Sequence, residues 1–335
     1  MKIGIIGDIH FSEYSSILRS RGKKFSTRLE NCIDSINWAE AYTQNCDQII
    51  YLGDFFDKSI LNAEELTALA DIKWNDVPHK FLVGNHEMGI NSLVFSSAHV
   101  FKNNGFDIID SARTEVYNDF ELCYLPYILE ENREPLANYF KPYVSGTKTR
   151  YIFSHNDIAG IQMGKFVSKA GFSIEEIEAD CNLFVNGHLH NGMPLTNKII
   201  NLGNLTGQNF SEDGFIYSHN IMTIDTDNKE YDVRRNPHAI YFYKLDSIKD
   251  IERVQNAVVT LKVKAEEAQD AKELLEKSSN IITSRLIVDH SVSEQRSAKE
   301  LTVNHLDEFS TFVLEQFKDS DELDLVKEEL GYIYG

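Results

Sequence analysis

A set of side chains dispersed along the chain could do chemistry together: Asp8, His10, Asp54, Asn85, His86, His155, His188 and His190. They comprise two carboxylates, an amide and several imidazoles, and nearly all follow directly on a short apolar run. Each has an ordinary explanation when taken alone. Asp8 could cap a helix or form a turn, and His10 could be a loop histidine. Together they make the ligand inventory of a two-metal site in which one carboxylate bridges. Oxygen and nitrogen ligands without thiolate suit Mn²⁺, Fe²⁺ or Zn²⁺ better than Mg²⁺ alone. Two such ions held close together activate a water and take up charge on a phosphoryl group during in-line attack. The chemistry expected is phosphoester hydrolysis.

These residues need elements to position them. Ile3, Ile5 and Ile6 read as a buried strand that turns at Gly7 into Asp8. Gln48–Leu52 and His79–Val83 repeat the pattern, ending in Gly53-Asp54 and Gly84-Asn85-His86-Glu87. Between the first two lies a helix over 27–44, with apolar residues from Leu29 to Tyr42 at three- and four-residue spacings and Ser26 or Thr27 as cap. A further helix is expected near 63–74, with Leu66 and Leu69 inward. The β-α-β-α-β order implies an α/β fold with a mainly parallel sheet covered by helices. In such sheets ligands sit at the carboxyl ends of the strands. Strands ending at Ser154-His155 and at Gly187-His188-Leu189-His190 add ligands of the same types.

The apolar run over 91–103 predicts a helix, packed either in the core or against a second subunit. The short strands over 198–245 predict an antiparallel second sheet packed on the first. Beyond residue 245 a strand over 256–264, a helix over 265–278 and a strand over 284–289 read as a small separate β-α-β domain. Amphipathic helices over 296–317 and 322–330 pack on their own domain or bind a partner.

The 335 residues, 42% of them hydrophobic, are enough for a large core and an accessory domain. A net charge of −19 argues against a surface that grips nucleic acid through phosphates, although bound cations and a basic partner can supply positive charge. Arg19, Arg21, Lys23, Lys24 and Arg28 form a basic stretch that is either a solvated loop or a phosphate contact for a polyanion. Cys32, Cys46, Cys123 and Cys181 form no CxxC pair and read as reduced residues. No apolar run approaches a membrane span and Met1 leads straight into a strand, so a cytoplasmic protein is expected.

The motifs Gly7-Asp8-Ile9-His10, Gly53-Asp54-Phe55-Phe56-Asp57, Gly84-Asn85-His86-Glu87, Ser154-His155 and Gly187-His188-Leu189-His190 resemble, in order and rough spacing, those of the calcineurin-like metallophosphoesterases. The resemblance covers about the first two-thirds of the chain. It implies a β-sandwich flanked by helices and two divalent ions. Asp8, His10, Asp54 and His190 would hold one ion, and Asp54, Asn85, His155 and His188 the other. His86 would face the scissile phosphate as general acid or transition-state stabiliser. Asp57 would either orient His86 or cap the following helix, and Glu87 would close an outer hydrogen bond.

Phe11 and Lys58-Ser59 depart from the protein phosphatase branch, which expects Gly and Arg-Gly there. The Gly-Asp-x-Phe-Asp and Gly-His-x-His forms, with Leu125-Pro126-Tyr127, look instead like the SbcD-type DNA repair nucleases and phage recombination endonuclease subunits. That likeness implies a manganese-dependent DNA exo- or endonuclease domain over 1–245, a capping domain over 246–292 and a docking segment over 293–335. Its partners would be DNA, an SbcC-type coiled-coil ATPase bound by the C-terminal helices, and a second copy met through helices near 61–75 and 91–103. Arg19, Arg21, Lys23 and Lys24 would be the phosphate contacts. Asn204-Leu205 stands where that family tends to have Ser-Pro, and the capping region is acidic. A small-substrate phosphodiesterase or phosphatase, and a non-catalytic DNA-end scaffold, are the competing expectations.

Overall fold

Alternation within the first strand shows how the molecule is layered. Ile3 and Ile5 of the strand Lys2–Ile6 point into one apolar cluster, while Ile6 points into another on the opposite face. The computed structural model describes residues 1–14, 22–144, 146, 148–163 and 166–289. Within them, two six-stranded sheets stack face to face.

The first sheet runs in the order Glu230–Arg235, Asn220–Asp225, Lys2–Ile6, Gln48–Tyr51, His79–Leu82, Asp107–Ile109. Its last four strands are mutually parallel. The second sheet places Ile199–Asn201, Leu183–Asn186, Thr149–Ser154 and Phe120–Leu125 in parallel, with short antiparallel strands Met193–Pro194 and Arg113–Val116 at its edges.

Ile3, Ile5, Ile50, Leu52 and Leu82 from the first sheet meet Leu122, Tyr124, Phe153 and Val185 from the second. Truncating one of them, for instance Ile5→Ala, would open a cavity between the sheets and cost roughly 2–5 kcal/mol. The outer face of the first sheet is covered by the helix Thr27–Thr43 through Leu29, Cys32 and Ile36. Ser26 caps that helix by accepting from the Leu29 amide. The outer face of the second sheet is covered by the helix Ile174–Asp180 through Ile177. The α/β class and helix-flanked sandwich expected from the sequence are therefore present, with helices outside and two sheets inside.

A three-stranded parallel sheet follows, in the order Tyr241–Leu245, Ala257–Lys264, Ile281–Asp289. The helix Ala268–Lys277 packs Ala271 and Leu275 into its own apolar cluster. Its first strand begins before residue 246, and residues 1–289 form one compact unit. The expected helices over 296–317 and 322–330 lie outside the described residues.

Three expectations need correction. The run 91–103 is not one α-helix. Met88–Gly89 and Ser92–Ser96 form a hairpin, and a 3₁₀ helix Ser97–Asn104 follows. Ile90 and Asn91 both take positive φ (48° and 53°), the backbone a two-residue hairpin turn demands. The helix near 63–74 spans only Ala63–Leu69. Its buried residues are Glu65 and Ala68, whereas Leu66 is exposed. Glu65 is drawn inward because it accepts from the Ser12 hydroxyl, the Glu13 amide and, in a capping box, the Asn62 amide. The helices near 61–75 and 91–103 named for self-association are thus one short helix and a hairpin with a 3₁₀ turn. Finally, the strands of 198–245 do not make a separate antiparallel sheet. Asn220–Asp225 pairs antiparallel with Lys2–Ile6 and extends the first sheet, while Ile199–Asn201 joins the second in parallel.

Candidate metal centre

Three ligand loops leave the carboxyl ends of adjacent parallel strands in the first sheet, and two leave adjacent parallel strands in the second. Main-chain bonds tie these loops together. The Ile9 and His10 amides donate to the Asp54 carbonyl (3.0 and 2.9 Å), and the Gly187 amide donates to the Ser154 carbonyl (2.9 Å). His10, Asp54 and His188 themselves sit at positive φ (51°, 45° and 68°), backbone that costs free energy and concentrates at functional sites. The glycines make room for them. Gly53 has φ of 110°, and a Cβ there would collide with the His155 ring; a Cβ on Gly84 would overlap Asp54 Oδ1.

Every one of the four histidines assigned to the ions has one ring nitrogen engaged outward and the other turned into the cluster. His10 Nδ1 donates to Asp57 Oδ1 (3.2 Å), and its Nε2 stands 3.1 Å from His190 Nε2. His190 Nδ1 donates to Glu212 Oε1 (2.8 Å). His155 Nδ1 donates to the Leu52 carbonyl (2.9 Å), leaving Nε2 at 3.1 Å from Asp54 Oδ2 and 3.2 Å from Asn85 Oδ1. His188 Nε2 donates to Asp157 Oδ1 (3.3 Å), and its Nδ1 lies 3.0 Å from Asn85 Oδ1. Such outward bonds set the tautomer and aim the inward lone pair.

Asp54 stands between the two groups. Its Oδ2 is 3.1 Å from His155 Nε2 and 3.8 Å from His10 Nε2. The ligand atoms of Asp8, His10 and His190 lie within 4.8 Å of one another, as do those of Asp54, His155 and His188. Atoms bound to one ion at about 2.0–2.2 Å stand at comparable separations. Asp8 Oδ1 is buried with no hydrogen-bond partner, while its Oδ2 accepts from the His188 amide (2.8 Å). A buried carboxylate oxygen left bare is costly unless a cation satisfies it. The donor set therefore fits divalent ions at both places.

Electrostatics follow from this crowding. Burial pushes the Asp8 carboxyl up, aided by Asp54, against the pull of His155. Burial would also raise Asp54, but the charges of His155 and His10 and its bond to His155 hold it far below the usual carboxylate range. Burial lowers His10. His155 is desolvated too, yet Asp54 and Asp8 raise it to about 9. Burial and the Asp54 charge push Glu87 up to about 8, against three backbone donors: Phe55 and Phe56 N to Oε1, and Gly84 N to Oε2. Glu87 thereby joins the Asp54 loop to the Asn85 loop.

His86 is placed differently. Its amide donates to Asp54 Oδ1 (3.0 Å) and its Nδ1 donates to the Asp57 carbonyl (3.0 Å). Its ring meets His10 edge-on at 4.6 Å, and 41% of the side chain is exposed. Asp57 thus holds His86 through its backbone and His10 through its carboxylate; the carboxylate is 3.7 Å from His86 Nδ1.

Among the described residues, the cations of the basic stretch are not gathered into one patch. Arg28 is buried, and its guanidinium donates to the carbonyls of Gly207, Ile9 and His10. Lys24 Nζ pairs with Asp71 (2.8 Å). Lys23 is exposed, and Arg19 and Arg21 lie outside the described residues. Sequence reasoning missed Glu212 and Asp157 as parts of the site, and read Arg28 as a solvated-loop cation or a phosphate contact rather than a buried donor to the ligand loop. Asp157 stands beside His155 in Ser154-His155-Asn156-Asp157 and was open to recognition; Glu212 carries no local signal.

Residues 1–213 match the family model described as calcineurin-like phosphoesterase. The chain belongs to that family. The calcineurin-like phosphoesterases are metal-dependent phosphoester hydrolases that typically bind two ions, which agrees with the paired clusters. No curated protein matches this chain. Among solved structures, a novel archaeal phosphodiesterase is similar at 16% identity and a TM-score of 0.36, covering 70% of this chain and 99% of its own. A 5'-nucleotidase precursor from Thermus thermophilus is similar at 10% identity and a TM-score of 0.36, covering 70% of this chain. This chain spans 54% of that nucleotidase. Among the described residues, no helix of this phosphoesterase is long and apolar enough to cross a membrane.

Proposed function

We propose that this phosphoesterase is a two-metal DNA nuclease working as the catalytic subunit of a recombination or repair complex. The chemical part rests on one observation: four histidines, each bonded outward at one nitrogen, turn the other into two clusters, His10 and His190 with Asp8, and His155 and His188 with Asn85, and Asp54 stands between them. Bound there, two divalent cations, Mn²⁺ by the donor chemistry and the sequence resemblance, would supply Lewis acidity to a phosphodiester and lower the pKa of a water. The protein's part is to orient and to exclude. Asp54 spaces the two ligand groups, Asp57 fixes His86, and the strand-end glycines keep side chains out of the centre. Because His86 Nδ1 is committed to the Asp57 carbonyl, a proton passed to a leaving oxygen moves at Nε2 on the exposed side of the ring.

The choice of DNA rests on the resemblance of the Gly-Asp-x-Phe-Asp, Gly-His-x-His and Leu-Pro-Tyr motifs to the SbcD-type nucleases, and on the added parallel β-α-β unit after the sandwich. In this reading the segment 293–335 docks an SbcC-type ATPase, which supplies the positive charge that a −19 chain lacks. A second copy has an apolar surface available in Ile60, Ile90, Val94 and Phe95, all exposed beside the His86 loop. A host or cell cytoplasm is the setting in which such a complex works.

One observation favours the second reading, a small-substrate phosphodiesterase. Three described cations close in sequence to the ligand loops are already engaged: Lys58 with Glu65 (2.9 Å), Lys24 with Asp71, and Arg28 with carbonyls. The test is hydrolysis of single- and double-stranded DNA in Mn²⁺, with and without the cognate ATPase. The nuclease reading expects cleavage that disappears in His86→Gln with the fold intact. Turnover of bis-p-nitrophenyl phosphate or nucleotides with DNA left untouched in both conditions would establish the second reading instead.

A further inference from the structure

We propose that Glu212 is a positioning residue for one of the two metal sites, the one built from Asp8, His10 and His190. The inference rests on the dinuclear reading above and deepens it. Glu212 lies 22 residues beyond His190, in a loop that reads as solvated, yet its side chain is only 3% exposed.

The carboxylate is held on three sides. Oε1 accepts from His190 Nδ1 (2.8 Å) and from Asn204 Nδ2 (3.1 Å), and Oε2 accepts from the Gln208 amide (2.8 Å). Asn204 in turn pairs with Asp8 in an isolated parallel bridge, and the Leu205 amide donates to the Asp8 carbonyl (2.7 Å). The segment 204–212 therefore joins two ligands from opposite ends of the sandwich sequence, Asp8 through its backbone and His190 through Glu212.

A buried carboxylate without a cation is expensive. Among the described residues, no lysine or arginine bonds to Glu212; its partners are two amide donors and the His190 ring. A cation-bound imidazole completes the charge balance that those neutral donors leave open. Donation from Nδ1 also fixes the His190 tautomer, so that the Nε2 lone pair faces His10 Nε2 (3.1 Å) and Asp8 Oδ2 (4.0 Å). A carboxylate behind a metal-ligating imidazole raises its basicity and holds its ring plane, and losing one typically weakens metal binding by about 10–100-fold. The corresponding bond to His188 is longer, and its acceptor Asp157 is 19% exposed.

The experiment is Mn²⁺ binding to the full chain, followed by equilibrium dialysis and electron paramagnetic resonance. In wild type two ions are expected to bind per chain. In Glu212→Gln one site is expected to weaken by about 10–100-fold while the other changes little, with thermal unfolding of the metal-free protein unaltered. In a His190→Ala background, adding Glu212→Gln is expected to cost no further metal affinity, since its target is gone. Should Glu212→Gln not fold, Glu212→Asp keeps the charge but withdraws it by one methylene, and is expected to show the same selective loss at smaller size. Wild-type affinity at both sites in a folded variant overturns the proposal, as does equal weakening of both sites or a further loss in the His190→Ala background. Failure of wild type to bind Mn²⁺ would instead overturn the dinuclear reading on which it rests.

Discussion

The two halves of the metal centre are built from different materials. The half around Asp8, His10 and His190 has an anionic ligand of its own, and two carboxylates, Asp57 and Glu212, stand behind its histidines. The half around Asn85, His155 and His188 has a neutral amide instead. Its His155 leans on the Leu52 carbonyl, and its His188 leans on the half-buried Asp157. Both halves share Asp54. In a medium of low dielectric each added negative charge attracts a divalent cation strongly. Two bound ions are therefore expected to be held unequally, more tightly on the Asp8 side, although the ligand count is similar. The largest test of that view is Asp54→Asn, which removes the one charge common to both halves. Both ions are expected to be lost, with hydrolysis falling by roughly 10³-fold or more. Retention of one ion, seen by dialysis, would show that one half stands without the bridge.

The next effect comes from packing. A Cβ on Gly84 would overlap Asp54 Oδ1 and the Asp54 amide, so Gly84→Ala must push the bridging carboxylate out of place. A destabilisation of about 1–3 kcal/mol is expected by chemical denaturation. Both metal affinities should fall with it. If only the Asn85 half weakens, Asp54 is less evenly shared than its distances to His155 and His10 imply.

Protons offer a third way to separate the halves. His155 holds its proton up to about 9 in the metal-free chain, whereas burial leaves His10 neutral at lower pH than usual. An ion needs His155 neutral, so below pH 9 its binding on the Asn85 side must expel a proton. Apparent affinity there is expected to rise by up to about tenfold per pH unit until about pH 9. The same shift governs stability. With a folded value above the unfolded 6.5, His155 contributes stability that is complete below pH 6.5 and lost as pH rises through 9. Glu87, raised from 4.5 to about 8, also makes the metal-free fold less stable as pH rises through that range. The unfolding temperature of the metal-free chain should therefore decline from pH 6.5 to 9. Added Mn²⁺ should flatten that decline, because a bound ion has already displaced the His155 proton. A metal-free chain whose unfolding temperature is level over this range would remove the basis for a charged His155.

What could be read ahead of the structure, and what could not, follows the same division between direct ligands and their supports. Asp8, Asp54, Asn85, His155 and His188 each follow a buried strand and a turn, and parallel strands bring their carboxyl ends to one edge. That is local pattern plus a general rule of α/β sheets, and both are visible in a sequence. Glu212 was invisible because nothing in Phe210-Ser211-Glu212-Asp213-Gly214 distinguishes a buried acid from a solvated one; only the fold brings it behind His190. Arg28 misled for the opposite reason, since a cation in a basic stretch reads as surface, but its guanidinium turns inward onto three carbonyls. The hairpin at Met88–Ser96 failed on turn chemistry. Its turn is Ile90-Asn91, without the glycine that usually marks positive φ, and Leu93, Val94 and Phe95 then mimic a helix face. The pairing of Asn220–Asp225 with Lys2–Ile6 joins residues from the two ends of the sandwich sequence, a contact that no local window contains.

The smallest expected effect concerns the weakest support. Asp157 accepts from His188 Nε2 at 3.3 Å, and water reaches its side chain. A partly buried hydrogen bond of that length contributes less than the 2.8 Å bond of the buried Glu212, because water can take up part of the lost partner's place. His188 also keeps a second constraint in its own amide, which donates to Asp8 Oδ2 at 2.8 Å. Asp157→Asn preserves an oxygen acceptor in the same place and removes only the charge. The affinity of the ion on the Asn85 side is therefore expected to drop by no more than about threefold, well short of the typical loss when a well-ordered carboxylate behind a ligand is removed. Parallel Mn²⁺ titrations of this variant and Glu212→Gln make the contrast directly measurable. If Asp157→Asn costs as much as Glu212→Gln, then length and exposure do not rank these supports, and the inequality between the halves must come from Asp8 against Asn85 alone.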